Sequence, residues 1–183
     1  FTYYGAKDAT KVIVAMGSVT ETAIEVIDAL MAKGEKVGLV KVHLYRPFSK
    51  KYFLDCLPDT VKNIAVLDRT KEAGSTGEPL YLDVCSILQD KDIKVYGGRY
   101  GLSSKNTTPD EIYSVYKMLD ENPHHNFTIG INDDVTNLSL KPSHIEIKNE
   151  AKEIKIVGFG SDGMVSASKD LLKILHSSKD LYV

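Results

Sequence analysis
Short apolar runs alternate with stretches of helical period along most of this chain, and few architectures accommodate that alternation. Lys11–Met16 (KVIVAM) reads as a strand. Ser18 opens a helix in which Ala23, Val26, Ile27, Leu30 and Met31 recur on one face. Ser18-Val19-Thr20-Glu21 fits a capping box for it, and Gly34 is its stop. Lys36–Leu44 is the next strand, Ser49–Leu57 a short helix closed by Pro58, and Asn63–Leu67 a third strand. A glycine-bearing loop over residues 70–77 leads to Pro79, which suits the first turn of a helix carrying Leu80, Leu82, Val84, Cys85, Ile87 and Leu88. Ile93–Tyr96 is a fourth strand. Thr108-Pro109-Asp110-Glu111 is a second capping box, its helix buries Ile112, Val115, Tyr116 and Leu119, and Phe127–Ile131 ends the series. Strands separated by helices in this way fold as α/β layers around a Rossmann-like, mainly parallel sheet.

Residues 141–152 are polar and read as a linker, which divides the chain into a domain over residues 1–140 and a second unit over residues 153–183. In that unit a strand at Ile154–Val157 precedes a helix over Met164–His176, with Val165, Leu171, Leu172 and Leu175 on one side. Leu181–Val183 would begin a further strand. A βαβ unit of 31 residues cannot cover both faces of its own sheet, so it is expected to be the truncated start of a larger α/β domain. The missing initiator Met points the same way.

Between that strand and helix lies Gly158-Phe159-Gly160-Ser161-Asp162-Gly163, a G-x-G-x-x-G in the context where such a motif turns around a phosphate. Glycines let the backbone approach a ligand, and the free N–H groups at a helix start favour an anion. Gly158, Gly160, Ser161, Asp162 and Gly163 are therefore the candidate binding residues, with Lys169 one and a half turns into the helix adding positive charge. Two readings stay open: a phosphate cradle, or glycines that serve only close packing of strand on helix. A dinucleotide fold would also place an acid about 20 residues on, at the end of the second strand. Asp180, 17 residues after Gly163, precedes that strand instead.

Other polar groups admit two readings as well. Arg99-Tyr100-Gly101-Leu102-Ser103-Ser104-Lys105 has the cation, hydroxyls and glycine of an anion-binding or interface loop, or of a loop that bonds its own backbone. Asn132-Asp133-Asp134 reads as a turn rather than a cation site, and His124 and His125 as solvated loop residues. Net charge is −2 and the isoelectric point near 6.2, so nucleic acid and anionic membranes are not expected partners. No apolar run approaches the roughly 18 residues of a membrane span. Cys56 and Cys85 stand apart on apolar faces, which suits reduced thiols and a cytoplasmic setting.

Six stretches, in order, resemble the pyruvate:ferredoxin (flavodoxin) oxidoreductases. They are Leu44-Tyr45-Arg46-Pro47-Phe48, residues 67–72 (LDRTKE), residues 77–84 (GEPLYLDV), residues 98–105 (GRYGLSSK), residues 130–136 (GINDDVT) and residues 158–163 (GFGSDG). The resemblance implies that residues up to about 140 are the family's second domain, similar to the C-terminal domain of transketolases. Residues from about 153 would start the third domain, the one associated with coenzyme A. The whole enzyme is implied to be a homodimer that oxidatively decarboxylates pyruvate to acetyl-CoA. Its implied cofactors are thiamine diphosphate with Mg²⁺ and [4Fe–4S] clusters, which pass electrons to ferredoxin or flavodoxin. The chain itself has neither a cluster's cysteine set nor a G-D-G…N-N motif, so by itself it is expected to be inactive, with metal and catalytic residues elsewhere. Its implied part is to support the thiamine-binding domains and supply a share of the coenzyme A site.

Two stretches depart from the family pattern. Met164-Val165-Ser166-Ala167-Ser168-Lys169 stands where the family has T-V-G-A-N-K, which removes hydrogen-bonding groups from the helix start, and Ala73 stands where Pro is usual. The rival reading is a non-catalytic structural domain of a degenerate or sulfite-reductase-like relative.

Overall fold
All five residues of Lys11–Ala15 (β2) are buried, and consecutive side chains pack on opposite faces of one sheet. Ile13 and Ala15 join one apolar cluster, while Val12 and Val14 join another. Strands β3 (Val37–Lys41) and β4 (Asn63–Asp68) divide their side chains in the same way: Leu39, Ala65 and Leu67 to one face, Val40, Ile64 and Val66 to the other. A sheet buried on both faces needs helices on both, as parallel sheets generally do. Helices α1 (Val19–Met31) and α4 (Pro109–Glu121) contribute Val26, Ile27, Ile112 and Val115 to the first cluster. Helices α2 (Lys50–Cys56) and α3 (Pro79–Leu88) contribute Phe53, Leu80 and Val84 to the second.

This architecture comes from a computed structural model, which describes residues 1–132, 135–147 and 154–177. The sheet is completed by β1 (Thr2–Gly5), β5 (Lys94–Arg99) and β6 (Phe127–Thr128), and its order is β1-β3-β2-β4-β5-β6. All pairings are parallel except β1 with β3, where Thr2 lies opposite Lys41 and Gly5 opposite Gly38. The chain leaves β2 for β3 on one side and later returns to place β4 on the other. The carboxyl ends of β2 and β4 therefore flank the topological switch point of a doubly wound sheet. Among the described residues no helix is long and apolar enough to cross a membrane.

The mainly parallel α/β reading holds, with corrections in detail. The antiparallel edge strand β1 is absent from the sequence reading, because Thr2-Tyr3-Tyr4-Gly5 has no apolar alternation of its own and is ordered by pairing with β3. Ser18 does not form the expected capping box: it has helical backbone angles and no side-chain cap bond. Thr20 Oγ1 instead donates to the Gly17 carbonyl at 2.8 Å, and Glu21 is drawn to Lys41 at 2.8 Å. The box at Thr108 is present in full, with Thr108 N–H donating to Glu111 and Glu111 N–H to Thr108. His125 is not a solvated loop residue. Its Nδ1 accepts the Gly97 N–H at 3.0 Å, its ring lies 4.4 Å from that of Tyr81, and Nε2 faces the Thr76 carbonyl at 3.3 Å.

The chain divides into compact units at Phe1–Lys148 and Asn149–Val183. Residues 141–147, read from sequence as linker, lie on the first unit. Ile145 is buried, and the N–H groups of Ser143 and Ile145 donate to the backbone and side chain of Asp110. In the second unit α5 (Met164–His176) forms as expected, whereas Ile154–Val157 pairs with no strand among the described residues. So short a segment extends only where a neighbouring strand accepts its backbone groups. Leu181–Val183 lie outside the described residues.

One buried carboxylate ties the sheet to α3. Asp68, the last residue of β4, is only 4% exposed, and its two oxygens accept the Leu80 and Tyr81 N–H groups at 3.0 and 3.1 Å. It satisfies the first turn of α3 because the preceding residue, Glu78, makes no side-chain cap bond. Burial pushes the Asp68 carboxyl above its ordinary range, against the pull of the two N–H donors. A raised carboxyl stabilises most below the unfolded pKa, and that contribution is lost as pH rises through the folded value. Asp68→Ala is expected to cost about 2 kcal/mol by leaving two N–H groups unpaired, and Asp68→Asn less. In urea titrations the stability difference between the unmodified chain and Asp68→Asn should shift towards the unmodified chain between pH 7 and pH 4.

Candidate functional site
The glycine motif is a turn held by its own aspartate. Asp162 Oδ2 accepts the Phe159 N–H at 2.7 Å, and Oδ1 accepts the Met164 N–H, the first of α5, at 3.0 Å. Those two donors hold the Asp162 carboxyl below its ordinary range. Asp162 thus places a negative charge at the positive end of the α5 dipole, a position an external anion would otherwise favour. Gly160 and Gly163 have φ of +80° and +82°, and a Cβ built on either meets nothing within 4 Å, so a side chain at either position would strain the left-handed backbone without meeting a neighbour. At Gly158 a Cβ would lie 2.9 Å from the Met164 Cβ, so glycine allows the close approach of this segment to the start of α5. Ser161 is also left-handed, with φ of +53°.

The structure therefore brings Gly158, Asp162 and the start of α5 together, and leaves the Ser161 side chain exposed at the tip of the turn. Lys169 is exposed on α5, with no hydrogen bond or ion pair among the described residues. Around the turn Ile154, Val157, Phe159 and Val165 are exposed, so the described part of this unit has no closed core.

The remaining sequence candidates resolve differently. Arg99 is not an open anion site: it pairs with Glu78, which is only 3% exposed, and its Nη2 donates to Asn126 Oδ1 at 3.1 Å. The second Glu78 oxygen accepts the Glu72 N–H at 2.6 Å. Asp133 and Asp134 lie outside the described residues, and no cluster of three His, Cys, Asp or Glu side chains suited to a metal occurs among those described. Cys56 and Cys85 are free and half-buried, and burial pushes both thiols up, away from a reactive thiolate.

A cavity of about 390 Å³ escapes the sequence reading. It lies at the switch point, beyond the carboxyl ends of β2, β4 and β5, and Ser18, Thr22, Arg69, Tyr100, Ser104 and Lys105 are among its lining residues. Its elements are far apart in sequence; the anion-binding reading of residues 99–105 touches it through Tyr100, Gly101, Ser104 and Lys105, but nothing in the chain links that loop to Ser18, Thr22 or Arg69.

A depressed carboxyl stabilises above its unfolded pKa, and that contribution is lost as pH falls through the folded value. The amide proton shifts of Phe159 and Met164 are accordingly expected to titrate together, with one midpoint below the ordinary 3.8. Asp162→Asn should abolish that shared transition in a proton NMR titration. Separate midpoints would disprove the cap.

Comparison with known proteins adds the family. The family described as pyruvate:ferredoxin oxidoreductase core domain II matches residues 9–112. The chain is 50% identical over 188 residues to a pyruvate-flavodoxin oxidoreductase of Enterobacter agglomerans, aligning along its whole length with 16% of that relative. It is 50% identical over 187 residues to the pyruvate:ferredoxin oxidoreductase of Moorella thermoacetica, again with 16% of the relative covered. A pyruvate dehydrogenase (NADP+) of Cryptosporidium parvum is 49% identical over 193 residues, 10% of its length. A solved 2-oxoglutarate:ferredoxin oxidoreductase from Magnetococcus marinus, with 2-oxoglutarate, coenzyme A and succinyl-CoA bound, aligns at a TM-score of 0.43 and 20% identity, over 62% of this chain and 18% of that one. A match across more than half of the chain, joined to 50% identity along all of it, settles the relationship: the chain belongs to the pyruvate:ferredoxin oxidoreductase family.

Proposed function
We propose that this chain is part of a pyruvate:ferredoxin or pyruvate:flavodoxin oxidoreductase, in which residues 1–140 form the second core domain and residues 153–183 begin the next. The supporting observation is identity near 50% along the whole chain to relatives that carry those names. The parent enzyme would oxidatively decarboxylate pyruvate to acetyl-CoA as a cytoplasmic homodimer, with ferredoxin or flavodoxin as electron acceptor. Thiamine diphosphate with Mg²⁺ would supply the carbanion chemistry, and iron–sulfur clusters the electron path. A [4Fe–4S] cluster takes four thiolates, and two separate half-buried cysteines do not fit it, so clusters belong to other parts of the parent.

In this reading the first unit is a scaffold for the thiamine-binding domains, and the glycine turn is a share of a coenzyme A site. Asp162 would organise the turn from within. Gly160, Gly163 and the Ser161 hydroxyl at its tip would face a phosphate, with Lys169 supplying charge. Gly158 would hold the turn against α5. The rival, a turn that serves packing alone, is favoured by the contact beneath Gly158 and by the two N–H groups already taken by Asp162.

Calorimetric titration of coenzyme A into the full-length parent protein separates the two. Lys169→Ala is expected to weaken binding about tenfold, the scale of one charge-assisted contact. Pyruvate-dependent reduction of ferredoxin should keep its maximal rate at saturating coenzyme A. Unchanged affinity in Lys169→Ala would leave the turn as packing, and lack of any pyruvate-dependent reduction would remove the enzymatic assignment itself.

A further inference from the structure
Among the described residues, the switch-point cavity of the first unit combines two cations that no acid pairs with and a wall that carries no acidic side chain. Arg69 follows β4 directly, and its Nε donates to the Gly101 carbonyl at 3.3 Å. Its terminal guanidinium nitrogens have no partner among the described residues. Gly101 is required for this approach: φ is +61°, and a Cβ would come within 3.0 Å of the Arg69 Nε. Lys105, on the same wall, is exposed and also unpartnered among the described residues.

No acidic side chain is among the described lining residues, and the described acids Asp68, Glu78 and Glu21 at this end of the sheet are committed elsewhere. Asp68 turns both oxygens to the start of α3, Glu78 is held by Arg99 and the Glu72 N–H, and Glu21 pairs with Lys41. The hydroxyl residues Ser18, Thr22 and Ser104 complete the wall, and Ser18 makes no cap bond. Beneath them Tyr100 is buried and its hydroxyl is fixed on the Met16 carbonyl at 3.1 Å, which makes a firm floor. A volume of about 390 Å³ falls in the range of small-ligand sites.

We propose that this cavity binds a small phosphorylated ligand, with Arg69 and Lys105 as its cationic contacts and Ser18, Thr22 and Ser104 as hydroxyl donors. Two cations with several hydroxyls can surround a tetrahedral, multiply charged phosphoryl group more completely than a planar carboxylate. The site stands apart in sequence from the glycine turn and does not depend on coenzyme A binding there.

The test is a nitrogen–proton NMR titration of the full 183-residue chain with inorganic pyrophosphate, and with malonate in parallel, at constant ionic strength. Saturable shifts are expected at Ser18, Thr22, Gly101, Ser104 and Lys105, with malonate weaker. Lys105→Gln should weaken pyrophosphate binding about tenfold, and Arg69→Gln with Lys105→Gln further. Lys33→Gln with Lys62→Gln, which removes equal charge from exposed positions off the cavity wall, should leave it unchanged. Unsaturable shifts, or equal weakening in that control pair, would overturn the site. Malonate binding as tight as pyrophosphate would overturn its phosphoryl preference. The Lys105 side chain makes no hydrogen bond or ion pair among the described residues, so that single variant tests the site even if Arg69→Gln disturbs the loop.

Discussion
Burial of the central strands on both faces is the constraint on which the rest of the first unit depends. With side chains of β2, β3 and β4 alternating between two apolar clusters, neither face can be left to water. Each of Val12, Ile13, Val14, Leu39, Ile64 and Val66 is fully buried, and burying a side chain of this kind is worth about 1.5–3 kcal/mol. Helices must therefore cover both sides, and every crossover must run from the carboxyl end of one strand to the amino end of the next. The loops that follow β2, β4 and β5 consequently gather at one edge of the sheet, and the reversal of direction beside β2 leaves a gap between them.

Charges at that edge sort into those consumed by the fold and those left over. Asp68 and Glu78 are nearly inaccessible, and an unpaired carboxylate there would be costly. The start of α3 takes the first, and Arg99 with the Glu72 N–H takes the second. The GEP and GRYG stretches, which carry part of the family resemblance, are thus two halves of one buried ion pair. In this chain the pair joins β5 to the α3 entrance. Among the described residues, Arg69 and Lys105 remain as cations without an acid.

Legibility followed the range of the interactions. The Thr108–Glu111 box, the Pro79 helix start and the β2 strand depend on neighbours within a few residues, and each was readable from its own segment. Ser18 failed as a cap because Thr20 and Glu21 were drawn to Gly17 and Lys41, and the latter arrives from β3. His125 looked like a loop residue beside Pro123, yet Gly97 and Tyr81, distant in sequence, hold its ring. The glycine turn was legible as a turn. That Asp162 would occupy its own helix start was not, since the same residues suit a ligand equally well.

Sequence alone determined the layered α/β plan and the family, because period, caps and ordered motifs are local or additive along the chain. It also determined that this chain by itself lacks the thiols of an iron–sulfur cluster, which is a matter of count. Tertiary structure alone decided the partners of the buried Asp68 and Glu78 and the location of the open cavity. Both depend on strand order, and strand order brings Ser18, Arg69 and Lys105 to one place although no spacing in the chain relates them. It decided too that β1 exists at all, since an edge strand without apolar alternation is ordered only by the hydrogen bonds its neighbour offers.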